Sequence, residues 1–271
     1  MSSEGNLAVF CDFENIALGV RDAKYAKFDI QLVLERLLVK GSIVVKKAYC
    51  DWDRYKQFKA VMHEAAFELI EIPHVSMSGK NSADIRMVVD ALDLCYTKEH
   101  IDTFVIISGD SDFSPLVSKL RENAKTVIGV GVKNSTSDLL IANCDEFFFY
   151  DDLVAEPPAK RKTRKTKSSE SASKKSANKK PAKPDPMQEA IDLVMHTTEA
   201  LYSERGDRSK IWGSMIKQTL KRRMPQFNES YYGFNSFNDL LEEAQARDLI
   251  ELEMDERSGG YVVRSINRNN R

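Results

Sequence analysis

Over roughly the first 150 residues, short β-branched and aromatic runs alternate with longer amphipathic ones, and few folds accept that pattern. LAVFCD (7–12), IVVKKAYCD (43–51), ELIEIP (68–73), TFVIIS (103–108), TVIGVGV (126–132) and EFFFY (146–150) read as strands. Between them, FDIQLVLERLLVKG (28–41, closed by Gly41), DRYKQFKAVMHEAAF (53–67), SADIRMVVDALDLCYT (82–97), SDFSPLVSKLRENA (111–124) and STSDLLIANC (135–144) read as helices. This alternation predicts an α/β domain with a mostly parallel central sheet flanked by helices. Right-handed crossovers then set the carboxyl ends of the strands along one edge, the edge at which such sheets bind ligands.

The pattern stops near residue 156. Residues 157–186 hold 11 Lys/Arg against 2 Asp/Glu, a balance of 11 − 2 = +9, and none of them can build a core. Low hydrophobicity with high charge predicts a disordered basic linker, either a soluble spacer or an arm that attracts polyphosphate. Residues 1–156 carry 17 Lys/Arg against 25 Asp/Glu, or −8, and residues 187–271 carry 12 against 14, or −2. Beyond the linker, 187–203, 209–224 and 234–250 read as amphipathic helices. IELEM (250–254) and YVVRS (261–265) then form extended runs around a Ser-Gly-Gly turn. Three helices and a hairpin predict a small winged-helix domain over 187–265.

Four cysteines lie far apart, with no Cys-x-x-Cys and no histidine at ligand spacing. That excludes structural zinc and a disulfide scaffold and suits a reducing, cytoplasmic setting. No apolar run approaches ~18 residues, so neither membrane insertion nor secretion is expected.

The chemistry concentrates in carboxylates at predicted strand ends. Asp12 ends the first strand, Asp110 ends the fourth within Ser108-Gly109-Asp110-Ser111-Asp112, and Asp84 opens the 82–97 helix. Hard divalent cations such as Mg²⁺ and Mn²⁺ take oxygen ligands, and convergent acids suffice for one or two of them. Each acid also has a plainer role. Asp112 can cap the helix containing Pro115, and Asp84 suits a helix first turn. Asp12 has no such role, because the first strand should be buried and an unpaired buried carboxylate is expensive. On the 82–97 helix, Arg86, Asp90 and Asp93 share a polar face roughly opposite Asp84, which favours Asp84 over Asp90 as a site residue. Asn15 and Ser108 are candidate water-holding or supporting groups, and Glu14 is a weaker candidate. His63, His74, His100 and His196 are isolated and expected to be structural or exposed.

DFENI at 12–16, the Lys80–Asp84 spacing and ISGDSDF at 107–113 together resemble the NYN domain of the PIN-like nuclease superfamily. That resemblance implies a metal-dependent ribonuclease, with Asp12, Asp84 and Asp110 as the acidic cluster, Asp112 as their companion and Lys80 toward RNA. The segment 212–245, with Pro225-Gln226-Phe227, Tyr232-Gly233 and Ser236-Phe237-Asn238-Asp239-Leu240-Leu241, resembles the OST-HTH/LOTUS winged helix. It implies RNA binding or docking of a protein partner such as an RNA helicase. Lys217, Lys221, Arg222 and Arg223 are the phosphate-facing candidates, whereas Tyr231, Tyr232, Phe234 and Phe237 are expected in the core. Two rivals remain. A noncatalytic RNA-binding regulator would keep the acids, and a haloacid-dehalogenase-like phosphatase would need Asp-x-Asp where this chain has Asp12-Phe13-Glu14.

Overall fold

The computed structural model describes residues 5–25, 27–72, 82–154, 185–205, 210–255 and 259–267. Among these the chain forms two compact units, one N-terminal and one C-terminal. Lys80, His74 and residues 157–184 of the linker lie outside the described residues.

The N-terminal unit runs β1 (Gly5–Asp12), α1 (Phe13–Asp22), α2 (Ile30–Leu38), β2 (Gly41–Cys50), α3 (Lys56–Glu64), β3 (Glu68–Glu71), α4 (Ser82–Thr97) and β4 (Thr103–Ile107). It continues with a 3₁₀ turn at Ser111–Phe113, α5 (Ser114–Glu122), β5 (Thr126–Gly131), α6 (Asp138–Asn143), β6 (Glu146–Phe149) and α7 (Tyr150–Val154). The six strands are ordered β3-β2-β1-β4-β5-β6 and all pair in parallel. Strand alternation sends Leu7, Val9 and Cys11 into a core with α1, α2 and α3. Ala8 and Phe10 face the opposite way, into a second core with α4, α5 and α6. With helices on both sides, β1 and β4 read as continuous apolar runs.

This strand order matters for function. From β1 the chain winds toward β2 and β3 on one side, whereas β4, β5 and β6 extend the other way. The β1/β4 boundary is therefore the topological switch point, where a crevice opens at the strand carboxyl ends.

Three local readings are corrected. Residues 13–22, to which no element was assigned, form α1; Asp12 caps it directly at the strand end, and Phe13, Ile16 and Val20 bury its inner face. Gly41 does not close α2 but opens β2, where a side chain would put its Cβ 2.1 Å from the Gly5 carbonyl oxygen of β1. Residues 209–224 are not one helix, because Ile211–Trp212 forms a strand before α9 begins at Gly213.

The C-terminal unit comprises α8 (Pro186–Arg205), β7 (Ile211–Trp212), α9 (Gly213–Arg223), a 3₁₀ turn at Glu229–Tyr232, α10 (Phe237–Ala246), β8 (Ile250–Met254) and β9 (Tyr261–Ile266). Its antiparallel sheet is ordered β7-β9-β8. The Tyr202 hydroxyl of α8 donates to the Val263 carbonyl of β9 (2.7 Å), and Ser236 caps α10 by accepting from Asp239 N–H (3.1 Å). No helix among the described residues is long and apolar enough to cross a membrane. All four cysteines are buried and free.

Candidate active site

Two loops build the crevice. Phe13, fully buried, meets the rings of Trp52 and Phe58 at 5.0 Å and of Tyr55 at 5.6 Å, which pins the junction of β1 and α1. Asp12, only 7% exposed, is thereby fixed at the strand end. Its Oδ1 accepts from Asn15 N–H (3.3 Å), and its Oδ2 accepts from the hydroxyl of Ser108, a fully buried residue just past β4 (3.0 Å). Asn15 Oδ1 accepts from Gly109 N–H (2.9 Å), and Ser108 Oγ accepts from Asp110 N–H (3.2 Å). Asn15 and Ser108 thus tie the end of β1 to the end of β4. Gly109 is needed for a close approach, since a Cβ there would fall 2.4 Å from the Ser135 carbonyl oxygen.

The capping role considered for Asp112 belongs to Asp110, whose side chain accepts from Asp112 N–H (3.0 Å) at the start of the 3₁₀ turn. Asp112 itself is exposed.

Electrostatics draws the four acids together. Burial, then the Asp84 carboxylate and more weakly Asp110, push the Asp12 pKa from 3.8 up to about 7, against the hydrogen bonds from Asn15 and Ser108. Burial, then Asp110, Asp112 and Glu14, raise Asp84 from 3.8 to about 6. None of the groups that shift these two acids is a cation. Among the described residues, no three or more His, Cys, Asp or Glu side chains are gathered tightly enough to hold a metal ion by themselves. The donor set still fits a hard divalent cation, because Mg²⁺ characteristically takes one or two carboxylates and completes its shell with water. Uncompensated carboxylates at one crevice are what such an ion neutralises.

Asp90 is not the solvated acid expected on the polar face of α4. Its carboxylate accepts from the Tyr49 hydroxyl (2.9 Å) and Arg86 Nε (3.1 Å) and lies 3.5 Å from Lys47 Nζ. It ties α4 to β2. Asp84→Asn should therefore remove catalysis with little loss of stability. Asp90→Asn should keep catalysis but lower stability by about 1–2 kcal/mol through its charged partners. Thermal melts and cleavage rates of the two variants, side by side, check this.

Arg54 was not anticipated. It follows β2 on the same edge, and its Nη1 lies 3.1 Å from Glu14 Oε1. The signal was positional, since any cation just past a parallel strand faces the ligand edge. His63, His100 and His196 are exposed.

On the C-terminal unit, Lys217 Nζ is held by Glu229 Oε1 (2.6 Å) and lies over the Phe237 ring. Arg222 and Arg223 are exposed, and with Lys221 they form the last turn of α9. Tyr232, Phe234 and Phe237 are buried as expected, while Tyr231 is 56% exposed.

With crevice and acids in place, the family follows. Residues 6–151, more than half of the chain, match the NYN domain, and the chain belongs to that family, within the PIN-like nuclease superfamily. It is 30% identical over 118 residues to an uncharacterized protein of Methanocaldococcus jannaschii, covering 43% of this chain and 45% of that one. It is 25% identical over 154 residues to the Meiosis regulator and mRNA stability factor 1 of Xenopus tropicalis, covering 57% of this chain but 9% of the relative. The chain thus spans less than half the length of either curated relative. A crystal structure of a protein of unknown function from Vibrio parahaemolyticus aligns with a TM-score of 0.51 at 26% identity, over 56% of this chain and 97% of that one.

Proposed function

We propose that the N-terminal unit is a ribonuclease that hydrolyses phosphodiester bonds of RNA, endonucleolytically, with Mg²⁺ or Mn²⁺ held by Asp12, Asp84, Asp110 and Asp112. The observation that carries the proposal is Asp12, a nearly buried carboxylate at the switch point, pushed to about 7 by burial and a second acid, with no cation to balance it. NYN-family membership supports RNA as substrate, as does the mention of mRNA stability in the name of the Xenopus relative. A bound divalent cation would supply activation of the attacking water and neutralise charge building on the phosphate oxygens. The chain's own part is positional. Ser108 and Asn15 lock the rotamer of Asp12 and the Gly109–Asp110 turn, so the acids stay aimed at one place. Arg54, together with Lys80, offers positive charge to the strand.

We further propose that the C-terminal unit is an OST-HTH/LOTUS-like winged helix that holds RNA or a protein partner such as an RNA helicase. In support, three helices meet a small antiparallel sheet, and the motif residues Ser236, Phe237, Leu240 and Leu241 serve as cap and core. Arg222 and Arg223 are its exposed basic groups. The linker's eleven cations complete capture of RNA, because the segment 1–156 carries 17 − 25 = −8. Replacing those cations with Gln should raise the RNA concentration giving half-maximal rate and flatten its salt dependence, with the saturating rate unchanged. Steady-state kinetics between about 50 and 200 mM salt measures this.

The test of function is incubation of the full chain with mixed RNA and with DNA, each with Mg²⁺, Mn²⁺ or chelator. Cleavage of RNA with either metal and none with chelator is expected. Binding without cleavage under every condition would replace the proposal with a noncatalytic RNA-binding regulator.

A further inference from the structure

Beside the acidic crevice, an open cleft of about 600 Å³ runs along α5 and α6. Asp112 stands at its lip, so cleft and crevice share a residue. Ser111, Ser114 and Ser118 lie along one side of the 3₁₀ turn and α5, with Pro115 between them, and Leu139 and Asn143 of α6 form the other side. Within it, Ser114 is 6% exposed, yet its Oγ has no hydrogen-bond partner. A buried hydroxyl left unpaired is costly, and here it lines a space that a ligand can enter.

The lining selects the occupant. It holds no Lys, Arg or His, and the one charge, Asp112, repels anions, so a phosphate is unsuited. Leu139 is 58% exposed and, with the exposed Pro115 ring, gives an apolar wall. Three hydroxyls, each donor and acceptor, ring that wall, and Asn143, whose Nδ2 donates to the Leu139 carbonyl (2.8 Å), keeps Oδ1 to accept. A flat, uncharged ligand with an apolar face and mixed hydrogen-bonding edges matches it. We propose, building on the ribonuclease reading above, that this cleft holds an unpaired nucleobase flanking the phosphate at the acidic crevice. A base inside a duplex cannot enter, so the cleft makes the enzyme prefer single-stranded RNA around its cut.

Full-length protein in chelator, where no cleavage is expected, is titrated with adenosine, guanosine, cytidine and uridine while backbone NMR shifts are followed. At least one nucleoside should perturb Ser111, Ser114, Ser118, Leu139 and Asn143. Ser118→Phe, which fills the cleft from an exposed position, and Leu139→Ser, which removes its wall, should each weaken that binding roughly tenfold. In metal, both should raise KM for single-stranded RNA by a similar factor while kcat changes little. Nucleosides that leave the cleft residues unperturbed, or bind both variants as tightly as the parent, would overturn the proposal even if metal-dependent cleavage persists. Nucleoside binding in the cleft of a chain that cuts no RNA would support the cleft and sink the ribonuclease reading instead.

Discussion

Asp110→Asn should lower RNA cleavage by on the order of 10²–10³-fold while the protein folds as before. The fold is expected to survive because the lost group is a charge, not a cap. Asp110 Oδ1 accepts from Asp112 N–H to start the 3₁₀ turn, and asparagine caps helices as well as aspartate does. The backbone N–H of residue 110 still donates to Ser108 Oγ. What disappears is one of the carboxylates that raise Asp84, and with it part of the field that attracts a divalent cation. Full activity in this variant, with contaminating nuclease excluded by a mock purification, would remove Asp110 from the site.

The second large effect concerns stability without metal. Asp12 keeps its proton up to about pH 7 in the folded chain but loses it near 3.8 when exposed. Between those values the unfolded state binds fewer protons, so the unfolding free energy declines as pH rises. In chelator, stability should therefore fall from about pH 4 to about pH 7 and level off above, by up to about 4 kcal/mol from Asp12 at ~1.36 kcal/mol per unit. Asp84 adds in the same direction, reduced by its solvent exposure. Asp12→Asn removes the titrating charge and keeps an acceptor for Asn15 N–H, so its melting temperature at pH 7.5 in chelator should exceed the parent's. Adding Mn²⁺ should stabilise the parent and leave the variant nearly unchanged. Parallel melts from pH 4 to 8 test this, and a parent whose melting temperature rises relative to the variant's across that range would contradict the buried-acid account.

Much of this arrangement could be read from residues near one another in the chain. The apolar runs of β1 and β4, each ending in an acid, foretold buried parallel strands delivering carboxylates to one edge. Asn15 and Ser108 were legible for the same reason, lying within a few residues of those acids. The misses arise where long-range partners decide. Helix α1 starts at the last residue of β1 without turn residues to announce it, though the spacing of Phe13, Ile16 and Val20 carried the signal. Ile211–Trp212 becomes a strand only because Val262 and Val263, about fifty residues later, pair with it. Asp90 looks like a solvated acid on its own helix, and its role appears once Tyr49 and Lys47 of β2 are set against it. The α5–α6 cleft likewise needs two helices brought together, although Ser111, Ser114 and Ser118 already shared a helical face.

The central claim is that the acids at the β1/β4 switch point hold a divalent cation. Titration of the full chain with Mn²⁺, followed by the loss of its free-ion electron paramagnetic resonance signal, tests that directly. The parent should bind one or two ions, and Asp12→Asn and Asp84→Asn should each weaken binding at least about tenfold. Mn²⁺ binding that is absent in the parent, or equally tight in both variants, would contradict the account.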